Sequence, residues 1–146
     1  MKVEIRVSEE ATEPYAILYT NQVSEGVRRL AAMIEAAEDQ KVVVASEDER
    51  WIVLRPEEIF LVRVEEQKTV VYTRDKRYKT TLRLYEAENA LKNDFMRISK
   101  AALVNLRQLD CVEPSFGGSM LLILKNGCKE YISRKYLPSF KQYLGL

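Results

Sequence analysis

The stretch VVVASEDERWIVLRPEEIFLVRVEEQKTVVYT, residues 42–73, contains four short runs rich in β-branched and aromatic side chains. Runs of this composition favour β-strands, and the polar groups between them favour turns. Strands that follow one another so closely favour a sandwich or barrel, because parallel strands joined by helices need longer connections. The predicted strands are residues 42–44, 51–54, 59–64 and 69–73.

A helical pattern follows this β-rich stretch. Leu84, Ala87 and Leu91 recur at helical spacing behind Thr81, which predicts a helix of about three turns with Thr81 as its N-cap. Serine is a common capping residue, so we expect Ser99 to cap a single turn that leads to residues 104–105.

Two turn-forming dipeptides mark the C-terminal part of the chain. Gly117-Gly118 and Asn126-Gly127 separate apolar runs, and both suit tight turns whose residues need a positive φ. They predict a three-stranded meander over residues 111–132. A short final helix follows, with Pro138 in its first turn, where a missing N–H costs little. The predicted helix contains Leu137, Phe140, Tyr143 and Leu144.

The first 40 residues carry a different pattern. Residues 3–7 alternate between apolar and charged side chains and residues 15–19 form a second apolar run, which predicts two strands paired as a hairpin across a polar turn. An amphipathic helix is predicted next, behind the capping residues Thr20 and Asn21. Its apolar stripe is Val23, Val27, Leu30, Ile34 and Ala37.

These patterns predict an α+β fold class. The main part is a mainly antiparallel β domain of packed short-stranded sheets with short helices, and a small β-β-α extension precedes it. We assign residues 1–40 to the extension, a candidate dimerisation or regulatory segment, and residues 41–146 to the main domain. A chain of 146 residues fits one domain with such an extension.

The composition excludes several classes of enzyme. Histidine is absent, which removes the commonest general base and metal ligand and every triad that uses it. The cysteines Cys111 and Cys128 form no CxxC pair, so we expect reduced packing residues without a disulfide or a zinc ion. Phosphate-binding motifs such as GxGxxG are missing. We therefore predict no enzymatic activity, no catalytic residues, no metal and no cofactor.

The sequence also indicates a compartment. The longest apolar runs, such as residues 120–124, are far too short to cross a bilayer. The N-terminus shows no apolar signal region. We therefore expect the protein in the cytoplasm.

The net charge of +1 conceals an uneven distribution, because residues 1–50 carry a net −5 and residues 51–146 a net +6. Basic side chains of the second part fall at strand ends and in turns, where they could neutralise phosphates and reach base edges. An unevenly charged solvated surface remains the alternative at this point. The basic groups are Lys68, Arg74, Lys76, Arg77 and Lys79 around one hairpin, Arg97 and Lys100 near the single turn, and Arg134 and Lys135 before the last helix.

Several motifs occur in a fixed order between residues 52 and 144. They are Pro56-Glu57-Glu58-Ile59, Val64-Glu65, Thr73, Leu82, Leu84-Tyr85-Glu86-Ala87-Glu88, Phe95-Met96-Arg97-Ile98-Ser99, Val104-Asn105, and Asn126-Gly127 followed by Ile132-Ser133-Arg134-Lys135-Tyr136. In order and spacing this part of the chain resembles the LytTR DNA-binding domain, a mainly β module of bacterial transcription regulators.

The resemblance implies that loops on one side of the domain enter successive major grooves of DNA. By their positions in the family motifs, the residues that would contact DNA lie in the first hairpin, directly after residue 99 and at the start of the final helix. Other family members carry His or Asn at the positions of Lys68 and Lys100, so lysine there favours affinity for phosphate. Asn105 also matches the family pattern, and we expect it to form hydrogen bonds in a buried turn. The predicted DNA-binding residues are Lys68, Lys100, Arg134, Lys135, Arg97, Lys76 and Arg77.

The resemblance further implies a class of regulator. Fewer than 50 residues precede the module, whereas a phosphoacceptor receiver domain needs about 110, so we expect a stand-alone regulator that lacks a receiver domain. Its expected partner is double-stranded DNA with repeated half-sites, bound as a homodimer. Such regulators are often paired with a small membrane protein that restrains them, which adds a membrane-protein inhibitor to the expected partners. No small-molecule substrate is expected.

Two other functions are compatible with the residues alone. The acidic extension and its helix could form a protein-interaction or dimerisation module beside an incidental basic face. Alternatively, Tyr72, Tyr78 and Tyr85 could stack RNA bases, which requires exposed rings. Salt dependence discriminates these functions, because binding through several phosphates weakens steeply as salt rises and apolar docking does not.

Overall fold

The computed structural model describes residues 2–10, 15–37 and 42–146. The chain divides into two compact units, Met1–Glu38 and Asp39–Leu146. Within the described ranges, no helix is long and apolar enough to span a membrane.

The first unit contains the predicted amphipathic helix, α1 (Glu25–Ala37). Its N-cap is Ser24, whose Oγ accepts a hydrogen bond from the Val27 N–H at 3.3 Å. The predicted caps Thr20 and Asn21 lie too far ahead of the helix, because an N-cap side chain reaches N–H groups only two or three residues onward.

The predicted N-terminal hairpin is wrong. Residues 2–7 and 15–19 pair with no strand among the described residues, and the side chains of Val3, Ile5 and Val7 are exposed. An alternating pattern indicates only that one face prefers burial, and a strand also needs a partner for its N–H and C=O groups. Part of the predicted turn, residues 11–14, lies outside the described residues.

The second unit contains two antiparallel sheets. Its strands are β1 (Val43–Glu47), β2 (Arg50–Leu54), β3 (Leu61–Glu65), β4 (Lys68–Tyr72), β5 (Arg77–Thr80), β6 (Phe95–Ser99), β7 (Ala102–Asn105), β8 (Leu109–Pro114), β9 (Met120–Leu124) and β10 (Lys129–Ile132). The larger sheet has the order β2-β1-β5-β4-β3-β7-β6, and the smaller one β10-β9-β8. This architecture confirms the predicted mainly antiparallel β fold and the predicted meander.

The seven-stranded sheet is packed on both faces. Successive residues of β3 point to opposite faces and serve two cores. Val62 belongs to the core formed with α2 (Leu84–Leu91), whose buried residues are the three that the sequence predicts. Leu61 packs with Leu122 of β9 and Phe140 of α3 (Leu137–Leu144) on the other side. The small sheet and the last helix therefore cover part of one face, and α2 covers part of the other.

Two local predictions are wrong, and strand β5, which begins at Arg77, was not predicted from the sequence. Helix α2 has eight residues and begins after Arg83, whose N–H donates to the Glu86 carboxylate at 3.1 Å, so Thr81 is not its cap. Ser99 ends β6, and its Oγ accepts from the Ala101 N–H at 3.1 Å within a β-hairpin. Short hydroxyl side chains bond nearby N–H groups in helix caps and in turns alike, so the residue type alone did not distinguish them.

Candidate nucleic-acid interface

Lys68 lies at the tip of the β3–β4 hairpin. The two-residue turn consists of Glu66 and Gln67, whose φ angles of 48° and 67° are those of tight hairpin turns that match the twist of the strands. This turn places Lys68 opposite Glu65 in the ladder and leaves the lysine side chain exposed. We refer to residues 65–68 as loop 1.

Lys100 lies in the β6–β7 turn, which we call loop 2 (residues 99–102). Its side chain is exposed, whereas Arg97 is turned inward. The Arg97 guanidinium donates to the Ser99 carbonyl at 3.1 Å, the Lys100 carbonyl at 2.9 Å and the Glu88 carboxylate at 2.9 Å. Through these bonds Arg97 fixes the shape of loop 2. The spacing of the motifs did not indicate this positioning role.

Arg134 and Lys135 lie between β10 and α3, in loop 3 (residues 133–136), and both side chains are exposed. The Lys135 Nζ lies 5.5 Å from the ring centroid of Tyr136. A Cβ at Gly117 would stand 3.2 Å from the Arg134 Nη2, and Gly117 has a φ of +66°. Glycine at 117 therefore suits both the local turn and the close approach of the Arg134 side chain.

Backbone hydrogen bonds bring the three loops to one end of the seven-stranded sheet. The Val64 N–H, beside loop 1, donates to the Ala101 carbonyl in loop 2 at 2.8 Å. The Ser133 N–H, at the start of loop 3, donates to the Ile98 carbonyl beside loop 2 at 2.8 Å. Lys68, Lys100, Arg134 and Lys135 thus come from distant parts of the sequence to neighbouring loops.

The structure separates Lys76 from these loops. The β4–β5 turn, closed by a 2.8 Å bond from the Thr73 N–H to the Lys76 carbonyl, lies at the opposite end of β4 from Lys68. Residues at the two ends of a strand of this length are roughly 13 Å apart. The Lys76 Nζ lies 4.0 Å from the Glu47 carboxylate. Lys76 therefore belongs to the far end of the sheet, although the sequence groups it with Lys68.

An open depression lies beside loop 1 on the face of β4 and β5. Arg77 starts β5 at the far end, but its guanidinium lies 3.8 Å from the Glu65 carboxylate. Lys79 pairs with Val70 in the ladder and so shares this face with Lys68. The predicted contact set omits Lys79, and recognition of β5 as a strand would have placed it there. The depression is lined by Glu65, Glu66, Lys68, Val70, Arg77 and Lys79.

A half-buried ion network supports the base of loop 1. The Arg63 Nε donates to Glu65 at 2.9 Å, its Nη2 donates to the Tyr72 hydroxyl at 2.7 Å, and its Nη1 donates to Glu130. The Tyr72 hydroxyl also donates to Glu65. The network joins β3 and β4 to β10, so it ties the two sheets together beneath the loops.

These contacts shift the pKa values of the network. The hydrogen bond from Tyr72, with those from Arg63, outweighs burial and lowers the pKa of Glu65. Burial alone would lower the pKa of Arg63, but the bonds to Glu130, Glu65 and Tyr72 outweigh it and raise the pKa further. Burial, followed by the bond to Glu65, raises the pKa of the Tyr72 hydroxyl. Glu65 and Arg63 are therefore both charged at neutral pH, with Tyr72 as a neutral donor.

We expect Glu65 to stabilise the fold at neutral pH and to lose this effect in acid. A carboxyl whose pKa is lower in the folded chain stabilises fully above its unfolded pKa, here 4.5, and progressively less as the pH falls through the folded pKa. Urea unfolding at about pH 7 should show Glu65→Gln less stable than wild type by about 1–2 kcal/mol. The difference should shrink at about pH 3, and a difference that stays constant would contradict this assignment.

Two buried or half-buried side chains have structural roles. Asn105 is 2% exposed; its Nδ2 donates to the Ile59 carbonyl at 2.9 Å and its Oδ1 accepts from the Arg107 N–H at 3.0 Å. The predicted structural role of Asn105 is confirmed. Tyr72 packs against the core with the Arg63 guanidinium 4.9 Å from its ring centroid, so this ring offers no free face for an RNA base.

Exposed basic groups gathered at one end of a domain are typical of the class of proteins that bind nucleic acid. The family model of the LytTr DNA-binding domain matches residues 49–145. The chain therefore belongs to the LytTR DNA-binding domain family, and by its family it is a DNA-binding transcription regulator.

Individual proteins are also similar to this chain. Two relatives described as uncharacterized HTH-type transcriptional regulators come from Staphylococcus aureus, strains bovine RF122 / ET3-1 and MRSA252. They are 25% and 24% identical over 146 residues, and the matches cover 100% of this chain and 99% of each relative. A solved structure, described as a LytTr DNA-binding domain from a Bacillus cereus response regulator, shares the fold with a TM-score of 0.68. It is 24% identical, and the match covers 73% of this chain and 99% of that one.

The label HTH-type belongs to those relatives, and this chain shows a different arrangement. Among the described residues, α2 and α3 are separated in sequence by five strands, β6 to β10, so they form no helix-turn-helix pair. No group of three or more acidic or cysteine side chains in the described ranges could hold a metal ion.

Proposed function

We propose that the protein binds double-stranded DNA sequence-specifically through loops 1, 2 and 3, which enter major grooves, and that it regulates transcription as a dimer on repeated half-sites. One observation carries this proposal. Lys68, Lys100, Arg134 and Lys135 are exposed on three loops that the bonds Val64–Ala101 and Ser133–Ile98 hold at one end of a sheet. Several cations on a rigid edge can neutralise several phosphates at once.

The four side chains fit different tasks. Lysine is a compact charge on a flexible stem, so Lys68, Lys100 and Lys135 suit phosphate oxygens. Arginine donates two parallel hydrogen bonds to guanine O6 and N7, and Arg134 is placed by its close approach to Gly117. Among these residues we assign base recognition to Arg134 and affinity to the lysines. Arg97 acts indirectly by holding the shape of loop 2. Arg77 contributes positive charge to the depression beside loop 1.

The family resemblance supports further parts of the proposal. A small membrane protein that restrains the regulator is a proposed partner, and the cytoplasm is the proposed compartment. Lys76, part of the predicted contact set, is proposed to lie outside the DNA footprint, because it occupies the far end of the sheet.

The decisive experiment is a selection of binding sites from random duplex DNA, carried out at low and at near-physiological salt. A repeated motif that remains enriched at the higher salt would support sequence-specific recognition. If nothing is enriched and binding disappears on adding salt, only non-specific attraction to phosphate remains and the proposal fails.

A second candidate function is a protein-docking module. Trp51 is 84% exposed on β2, the edge strand of the larger sheet, and Val44 and Val53 on the same face are also exposed. Exposed apolar edge strands are common docking sites. A salt titration of complex formation separates the two functions, because apolar docking is insensitive to salt and phosphate binding is not.

A further inference from the structure

Phe116 is the most exposed large apolar side chain among the described residues of the second unit, with 98% of its surface accessible. The other residues of that unit therefore leave its ring almost uncovered. Single exposed apolar side chains are common on protein surfaces, so exposure alone indicates no function. The location of Phe116 is more informative.

The turn between β8 and β9 carries Phe116 to the end of the domain where loop 3 lies. Met120, the first residue of β9, pairs with Ile132 at the end of β10 and with Pro114 at the end of β8. The β8–β9 turn therefore lies beside loop 3, which directly follows Ile132. We refer to residues 115–119 as loop 4.

Loop 4 closely approaches Arg134, the side chain to which the proposed function assigns base recognition. A Cβ added at Gly117 would stand 3.2 Å from the Arg134 Nη2. Phe116 directly precedes Gly117, and consecutive Cα atoms are about 3.8 Å apart. The backbone that carries the exposed ring is thus a close neighbour of the exposed guanidinium, although the two residues come from different strand connections.

Hydrogen bonds within loop 4 hold it in one shape. The Phe116 carbonyl accepts from the Ser119 N–H at 3.2 Å and from the Ser119 Oγ at 2.8 Å. The Ser115 N–H donates to the Ser119 carbonyl at 2.9 Å. Gly117 and Gly118 supply the φ angles of +66° and +78° that the turn requires. Because the turn is closed in this way, an aromatic ring on it loses little conformational freedom when it binds a partner.

The chemistry of loop 4 suits the major groove of DNA. Residues 115–119 include no acidic side chain, so nothing in the loop repels phosphates, and the basic loops beside it attract the duplex. In the major groove thymine presents its 5-methyl group, and phenylalanine is one of the side chains that contact this methyl. Successive bases of one strand are about 3.4 Å apart along the helix axis. A ring beside Arg134 can therefore reach a base close to the one that Arg134 contacts.

We propose that Phe116 reads the methyl group of a thymine in the major groove, one or two base pairs from the guanine that Arg134 contacts. This inference rests on the proposed function, because it needs loop 3 in a major groove. It adds a specificity-determining residue outside loops 1, 2 and 3. The contact removes both the ring and the methyl group from water, which favours binding. The selected half-site should then contain a guanine with a thymine one or two positions away.

The test compares thymine with uracil, which forms the same base pair and lacks the 5-methyl group. The affinity of the full chain for the selected duplex is measured by fluorescence anisotropy, with uracil placed at one thymine at a time. We expect wild type to lose roughly fourfold in affinity at the one thymine that Phe116 contacts, the effect of one buried methyl group. Phe116→Ala should bind the thymine duplex roughly tenfold more weakly than wild type and should not distinguish thymine from uracil there.

Two control variants separate this contact from general effects. Trp51→Ala removes another exposed aromatic ring, on the edge strand β2, and should keep both the affinity and the difference between thymine and uracil. Lys100→Gln should weaken binding to both duplexes equally and keep the difference, because it removes only a phosphate contact. The midpoint of thermal unfolding should be the same for Phe116→Ala and wild type, since the ring is exposed.

The outcomes distinguish this inference from the proposed function. If wild type binds a specific site but tolerates uracil at every position, or if Phe116→Ala keeps the difference, the inference is wrong and the DNA-binding proposal stands. A weaker Phe116→Ala whose loss no uracil substitution reproduces would place the ring against another part of the duplex and also overturn the inference. If wild type selects no motif at all, the proposed function fails and this inference fails with it.

Discussion

Changing Lys68, Lys100 and Lys135 together to glutamine is expected to lower affinity for the selected duplex by roughly 100-fold near physiological salt. Each lysine occupies a different loop, so the variant removes one cation from each of the three contacts. The slope of log affinity against log salt should flatten by roughly one for each lost phosphate contact. Stability should stay within about 0.5 kcal/mol, because all three side chains are exposed. Fluorescence anisotropy over a salt series and urea unfolding measure both quantities.

The chain offers a matched control at the other end of the same sheets. Lys76, Lys125 and Lys129 are also exposed, and the Asn126 Nδ2 bond to the Thr73 carbonyl, at 2.9 Å, places the β9–β10 turn beside the β4–β5 turn. Their change to glutamine removes the same charge far from the three loops, so affinity and salt slope should hardly change. Equal losses in both triple variants would show that net charge, and not the loops, attracts DNA.

The sequence predicted the parts of this interface that depend on local pattern. Strands β1 to β4, the meander and the final helix follow from short apolar runs and turn dipeptides, since each carries its signal within a few residues. The basic loops were recognisable as separate groups. The bonds from Val64 to Ala101 and from Ser133 to Ile98 bring these loops together. They join residues more than thirty positions apart, so no local sequence pattern indicates them.

The sequence could not show which cations are free to act. Arg97 and Lys100 look equivalent in the sequence, yet Arg97 donates its hydrogen bonds within loop 2 and Lys100 points to solvent. Lys76 and Lys68 lie only eight positions apart, but β4 separates them by its whole length. Lys79 was recognised as a basic residue of the first hairpin but left out of the predicted contact set, because the polar strand β5 lacks the apolar run that marks strands. In each case the tertiary structure, and not the residue type, determines whether the side chain is available to contact DNA.

Asn105→Ala is expected to lower the free energy of unfolding by about 3 kcal/mol. The side chain is 2% exposed and satisfies the Ile59 carbonyl and the Arg107 N–H, with a longer contact of 3.4 Å to the Pro56 carbonyl. Alanine would leave the buried Ile59 carbonyl and the part-buried Arg107 N–H without this partner, and water has little access to the carbonyl. Urea unfolding of wild type and variant gives the difference directly.

Two comparison variants identify the cause of that loss. Asn126→Ala removes similar bonds, to the Thr73 carbonyl and the Cys128 N–H, but at a half-buried site where water can substitute, so it should cost about 1 kcal/mol. Asn105→Asp keeps the acceptor for Arg107 and sets a carboxylate against the Ile59 carbonyl, so it should be at least as destabilising as alanine. An aspartate variant as stable as wild type would contradict the donor role of the amide.

The Asn105→Ala variant also distinguishes an effect on folding stability from an effect on DNA binding. It ends β7 beside the start of β3, whereas the basic loops lie where β3 ends and β7 begins. Well below its unfolding transition, Asn105→Ala should therefore bind the selected duplex with wild-type affinity while its midpoint of thermal unfolding falls. The triple lysine variant should behave in the opposite way, with DNA affinity lost and the midpoint kept. If Asn105→Ala lost affinity while fully folded, the two ends of the sheet would be coupled, and loop geometry would depend on contacts across the whole domain.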